Sequence, residues 1–147
     1  MLEGIKKLHF VGIGGVGMSA IAEVMLDKGY EISGSDLSES AVVKHLKAKG
    51  ATIYKGHDAL NVEGKEALVL SSAIHQDNPE LVAAKAKGLK LFHRSDILAY
   101  LLNDAKGIAV AGAHGKTTTS SMISVVLEHA KVDPTILIGG FVDYLKG

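Results

Sequence analysis

Apolar positions along this chain fall into two recurring kinds of segment: short runs bounded by glycine, and stretches in which apolar residues recur every three or four positions. Residues 8–13 form a short apolar run ending in glycines, and residues 19–28 place Ile21, Val24 and Met25 at helical spacing before Gly29, a natural helix terminator. The pattern predicts strand, tight turn, helix. Residues 30–33 read as a second strand, 41–49 as a helix closed by Gly50, 52–54 as a third strand and 67–70 as a fourth. In Asn78-Pro79-Glu80 a capping amide, a proline suited to a first turn and an acid near the positive helix end coincide. A helix therefore starts there and ends at Gly88, before a strand at 89–92 and a helix capped by Ser95 that runs to about Leu102. The polar stretch 103–106 divides these elements from a second series: a strand-like run at 107–111, a loop at 112–115, a helix at 116–130 and a strand at 135–138. Met122, Ile123, Val126 and Leu127 share one face of that last helix.

Strands alternating with helices imply an α/β fold with a parallel, doubly wound sheet and right-handed crossovers. The length of 147 residues fits one domain, or one small domain and part of a second. The boundary is placed after residue 104.

Composition narrows the partners. The chain is 47% hydrophobic and 22% charged, which speaks against disorder and against a membrane span. Sixteen basic and sixteen acidic residues cancel, and no basic run exceeds Lys6-Lys7, so nothing resembles a nucleic-acid footprint. Cysteine is absent, which removes disulfides, thiolate metal sites and a cysteine nucleophile, and fits a reducing, cytoplasmic setting. The apolar stretch after Lys6-Lys7 superficially resembles a secretory signal, but Gly12, Gly14, Gly15, Gly17, His9 and Glu23 interrupt it. The seven histidines show no metal-ligand spacing. Arg94, the sole arginine, reads equally as a phosphate contact or a surface ion pair.

Two glycine loops carry the chemistry. Gly12-Ile13-Gly14-Gly15-Val16-Gly17 fits G-x-G-x-x-G between the first strand and the first helix. Glycines there permit a tight turn and let backbone N–H groups approach a diphosphate, which the positive helix end also attracts. The same glycines would also serve close strand–helix packing alone. Asp36 ends the second strand, where a dinucleotide-binding fold places an acid on ribose hydroxyls. That reading points to an NAD(P)-binding oxidoreductase or redox-sensing Rossmann domain, whereas a turn cap accounts for Asp36 just as simply. UDP carries ribose and diphosphate too, so this loop does not separate a dinucleotide from a nucleotide sugar.

The second loop is Gly112-Ala113-His114-Gly115-Lys116-Thr117-Thr118. Its N–H groups can cradle phosphates, the Lys116 ammonium can reach the β- and γ-phosphates, and the Thr117 hydroxyl can ligate Mg²⁺. It departs from the usual P-loop pattern because Val110, not glycine, stands five residues before Gly115.

In order and spacing, Gly12 to Ser19, Ser71-Ser72-Ala73-Ile74 with Asn78-Pro79-Glu80, and Gly112 to Thr118 resemble the Mur ligase family across the whole chain, above all its L-alanine-adding members. The resemblance implies a Rossmann-like sheet with helices on both faces over 1–104, holding the UDP portion of UDP-N-acetylmuramate. It implies that 105–147 open a P-loop ATPase domain that is cut short. Gly14, Gly15, Val16 and Gly17 would face the diphosphate, and Asp36, Ser71, Ser72, Ala73 and His75 would lie near the uridine. Gly112, Ala113, His114, Gly115, Lys116, Thr117 and Thr118 would hold ATP, with Lys116 and Thr117 in catalytic roles and Thr117 on Mg²⁺. Such a ligase activates the muramyl carboxylate as an acyl phosphate, which the amine of L-alanine attacks during peptidoglycan precursor synthesis. Because the chain ends at Gly147, before the family's later metal-binding carboxylate and amino-acid domain, the resemblance implies UDP-sugar binding without amide formation. An unpaired edge in the second unit would invite self-association.

Overall fold

The computed structural model describes residues 1–138 and divides into two compact units, one spanning Met1–Leu101 and one beginning at Leu102.

The first unit is built on five parallel strands: β1 (Lys7–Val11), β2 (Glu31–Asp36), β3 (Thr52–Lys55), β4 (Ala67–Leu70) and β5 (Lys90–His93). Helices α1 (Val16–Asp27), α2 (Ala41–Ala48), α3 (Pro79–Ala86) and α4 (Arg94–Asn103) follow β1, β2, β4 and β5, and a short 3₁₀ turn, Ala59–Val62, links β3 to β4. The strand order is β3-β2-β1-β4-β5. The chain thus winds outward from β1 to β3, returns to lay β4 against the other side of β1, and winds outward again to β5. Because the winding reverses between β1 and β4, a crevice opens at the carboxyl ends of those strands, the usual ligand position in such sheets.

Burial explains why these segments pair. Leu8, Phe10 and Val11 of β1 and Ala67, Leu68 and Val69 of β4 are fully buried, as central parallel strands covered on both faces should be. Val11, Leu68, Val62, Leu81 and Ala84 form one core beneath α3. Helices α1 and α2 contact each other, and they bury Ile21, Met25, Val43 and Leu46.

The helix signals hold locally. Asn78 caps α3, its Oδ1 accepting from Glu80 N at 2.9 Å and Leu81 N at 3.4 Å, with Pro79 at the first position. Gly29, after α1, sits at φ 86°, a left-handed conformation that costs glycine nothing. Three expectations are corrected. Helix α1 starts at Val16, three residues before the apolar periodicity begins, because Gly15 supplies the extended N-cap. Ser95 does not cap α4, which starts at Arg94. Asp96 reaches back instead, its Oδ2 accepting from His93 N at 2.7 Å, while the Ser95 hydroxyl meets His93 Nδ1 at 2.9 Å.

The third correction concerns the second unit, where α5 (Lys116–His129) forms as expected but 107–111 and 135–138 are not strands. A strand exists through hydrogen bonds to a neighbour, and no described segment pairs with either run. Ile108 is accordingly 60% exposed, as are Met122 at 59% and Val126 at 66% on the apolar face of α5.

Candidate functional site

The glycine loop is fastened to the end of β2. Gly12 N and Ile13 N both donate to Ser35 O at 2.9 Å, and Gly14 N donates to Asp36 Oδ2 at 2.8 Å. Gly15 N donates to Gly12 O at 3.1 Å, and Met18 N and Ser19 N donate to Gly15 O as α1 begins. Val16 and Gly17, the first two residues of α1, have no carbonyl one turn back, and among the described residues their N–H groups have no partner at the positive end of the helix. The Arg94 guanidinium occupies the position that a Cβ on Gly17 would take. Two amides, a helix dipole and a guanidinium therefore converge on one spot, an arrangement suited to phosphate. The glycines are not interchangeable. A Cβ on Gly14 would lie 2.7 Å from Asp36 Oδ2 and 2.9 Å from Val43 Cγ2, whereas at Gly15 the nearest atom is Gly12 O at 3.4 Å.

Asp36 serves the loop. Its Oδ2 takes the Gly14 N–H, and its Oδ1 takes Ser38 N at 3.0 Å and the Ser38 hydroxyl at 3.2 Å. The turn-capping reading of Asp36 accounts for these bonds.

The segment after β4 comes up beside the loop across the switch point. Ile74 Cδ1 lies 3.8 Å from where a Cβ on Gly12 would stand, and Ile74 N donates to Ser71 O at 3.2 Å to close a turn. Ser71 is half-buried, while Ser72, Ala73 and His75 are exposed. His75 O accepts from Asn78 N at 3.1 Å, which links this turn to the cap of α3.

Beneath the crevice lies a polar network that the sequence reading missed. Glu80, fully buried in the first turn of α3, accepts from His9 Nε2 at 3.2 Å and Asn61 Nδ2 at 2.7 Å on Oε1. Its Oε2 accepts from the Ser35 hydroxyl at 2.7 Å and from His57 Nδ1 at 2.8 Å. His9, itself fully buried, meets the Ser33 hydroxyl at 2.9 Å through Nδ1. Burial pushes the Glu80 carboxyl up, but the bonds from His9, Ser35, Asn61 and His57 outweigh it and hold the group at about 2. Sequence signals existed: a histidine inside an apolar strand, serines on alternate positions of β2, and an acid in a helix that buries its other face.

In the second unit, Gly115 caps α5 in a left-handed conformation at φ 77°. Lys116 folds over the loop, its ammonium donating to the carbonyls of Gly112 and Ala113. Gly112, Ala113, His114, Thr117 and Thr118 are all exposed. The loop thus gathers one ammonium and the unpaired N–H groups of a helix start, a donor set that fits a polyphosphate. Among the described residues no group of three or more His, Cys, Asp or Glu could hold a metal ion, so Thr117 is the sole cation ligand that the sequence reading puts there.

Residues 7–106 match the family described as Mur ligase family, catalytic domain. The chain belongs to the Mur ligase family. It is 58% identical to the UDP-N-acetylmuramate–L-alanine ligase of Hydrogenobaculum sp. (strain Y04AAS1) over 94% of its own length and 31% of the relative's. To the ligase of that name from Dictyoglomus turgidum it is 52% identical over 97% of this chain and 31% of the relative. Among solved structures, UDP-N-acetylmuramate-alanine ligase from Thermotoga maritima superposes with TM-score 0.86 at 36% identity, covering 95% of this chain and 33% of that one. The UDP-N-acetylmuramate:L-alanyl-gamma-D-glutamyl-meso-diaminopimelate ligase from Neisseria meningitides gives TM-score 0.87 at 32% identity, covering 97% and 45%. The chain thus spans about a third of the length of the curated relatives it matches.

Within this Mur ligase chain, Gly14, Gly15, Val16, Gly17 and Asp36 form one cluster, and the turn from Ser71 to Ile74 abuts it. Gly112 to Thr118 belong to the second unit. Arg94 is the site residue whose place the sequence left open. Its signal was its being the sole arginine, directly after β5, and nothing local joined it to Gly17.

Proposed function

We propose that residues 1–104 bind the UDP portion of UDP-N-acetylmuramate, and that this chain belongs to a ligase that joins that sugar to L-alanine in cytoplasmic peptidoglycan precursor synthesis. The observation that carries this reading is the convergence of the Val16 and Gly17 amides with the Arg94 guanidinium. A diphosphate needs several donors that do not move when it arrives, and two backbone amides at a helix start supply them. Gly14, Gly15, Val16 and Gly17 are assigned to the diphosphate. Ser71, Ser72, Ala73 and His75 are assigned to the rim nearer the uridine, with Asp36 holding the loop. Family membership sets aside the NAD(P) oxidoreductase alternative.

Residues 105–147 are assigned to ATP through Gly112 to Thr118. Lys116 would sit on the phosphates and Thr117 on Mg²⁺, and ATP supplies the phosphoryl group that activates the sugar carboxylate. Lys116 offsets negative charge and the helix start orients the phosphates, so no side-chain nucleophile is required. With relatives about three times as long, the 147-residue chain is expected to bind the sugar nucleotide without joining it to alanine. The exposed apolar face of α5 supports self-association of the isolated chain.

Thermal unfolding with UDP-N-acetylmuramate, NAD, NADP and Mg-ATP in parallel tests the assignment. Saturating UDP sugar should raise the midpoint by several degrees. A rise with NAD or NADP and none with the UDP sugar would overturn it.

A further inference from the structure

The Glu80 carboxylate is fully engaged by its neighbours, and one of them, His57, keeps a ring nitrogen free of the network. The Ser35 hydroxyl donates to Glu80 Oε2 at 2.7 Å, and His57 Nδ1 lies 2.8 Å from that oxygen and 3.0 Å from Ser35 Oγ. A carboxylate only accepts, so Nδ1 carries the proton, and in the neutral ring Nε2 is left as a bare acceptor. No buried side-chain nitrogen or oxygen among the described residues lacks a partner. Because His57 is half-buried and its Nε2 has no partner there, that atom opens to solvent.

Its place is the carboxyl edge of the sheet. Gly56 N donates to Asp36 O at 2.8 Å, so His57 directly follows the residue hydrogen-bonded to the acid that ends β2. That acid ordinarily receives ribose hydroxyls in a nucleotide fold, but here three of the roughly four acceptor sites of Asp36 are taken by donors of Gly14 and Ser38, which favours a different acceptor for the ribose. We propose that His57, oriented by Glu80, accepts a ribose hydroxyl of the bound nucleotide through Nε2, the role Asp36 leaves. The proposal deepens, and rests on, the UDP-sugar reading of the first unit. Glu80 is then a positioning residue, since it acts through His57.

Asparagine separates contact from support, because its amide N–H can replace Nδ1 toward Glu80 while nothing replaces Nε2. In the 147-residue chain, His57→Asn should keep its urea midpoint yet bind UDP about five- to tenfold more weakly by calorimetry, the worth of one hydrogen bond. The same two proteins should bind 2′,3′-dideoxyuridine diphosphate equally. Equal UDP affinity in wild type and variant overturns the role of His57. Equal losses for UDP and the dideoxy compound overturn the ribose assignment. Absence of UDP binding by wild type fells the nucleotide reading itself and His57 with it. If the variant does not fold, the wild-type chain decides: the ¹⁵N resonance of His57 Nε2 should move on adding UDP and not with the dideoxy compound, and an unmoved resonance with both overturns the proposal.

Discussion

The Gly14 N–H donates to the Asp36 carboxylate at 2.8 Å, so the acid that ends β2 grips the glycine loop by its backbone. Three donors converge on this carboxylate, from Gly14 and Ser38, and all belong to the protein. Asp36→Ala would strand a loop N–H and release the turn after β2. The expected cost is about 1–2 kcal/mol of stability, measured by urea unfolding, together with weaker UDP-sugar binding because the Val16 and Gly17 amides lose their fixed position. Unchanged binding would show that the loop holds its shape without Asp36.

Gly17→Ala should separate stability from binding. The methyl meets the flexible end of Arg94 and not backbone, so the guanidinium can move aside. Alanine within a helix is favoured over glycine by about 0.5–1 kcal/mol, so the thermal midpoint should hold or rise. Affinity for UDP-N-acetylmuramate should nonetheless fall about tenfold, as one charge-assisted contact is displaced. Arg94→Ala should reproduce the loss in affinity without the gain in stability.

What could be read from sequence divides by range. The start of α3 was readable because Asn78, Pro79 and Glu80 carry the whole of its capping chemistry within three residues. The glycine loop was readable because strand, glycines and helix adjoin. His9 and Glu80 lie 71 residues apart, and neither pattern nor propensity brings them together; only the sheet order does. The same holds for Arg94 over Gly17. The runs 107–111 and 135–138 failed in the opposite way: their apolar pattern suits a strand, but a pattern does not supply the neighbour a strand must bond.

Glu80 should govern acid stability. Its carboxyl is held at about 2 in the folded state against an ordinary value of 4.5. A group depressed on folding stabilises the protein above its unfolded value and loses that contribution as pH falls through the folded one. Here the window is pH 4.5 down to about 2, and the contribution above it is about 3 kcal/mol. Glu80→Gln removes the charge while turning an N–H₂ toward donors, so it should cost about 3 kcal/mol at pH 7 and flatten the dependence in that window. Urea unfolding of both proteins between pH 7 and pH 2 measures this, and parallel curves would exclude Glu80 as the titrating group.

Lys116→Ala tests whether the two loops serve two ligands. Lys116 lies in the unit that begins at Leu102, and among the described residues its ammonium bonds the carbonyls of its own loop, Gly112 and Ala113. Removing it deletes the charge that would meet nucleotide phosphates there and leaves Gly14, Gly17 and Arg94, in the other unit, unchanged. Stabilisation by UDP-N-acetylmuramate should therefore be the same in variant and wild type across a ligand series. Any stabilisation by Mg-ATP should shrink, because an ammonium on a phosphate is worth more than a neutral contact. If the variant instead lost its response to the UDP sugar, the two loops would form one site, and the assignment of separate ligands to the two units would have to be abandoned.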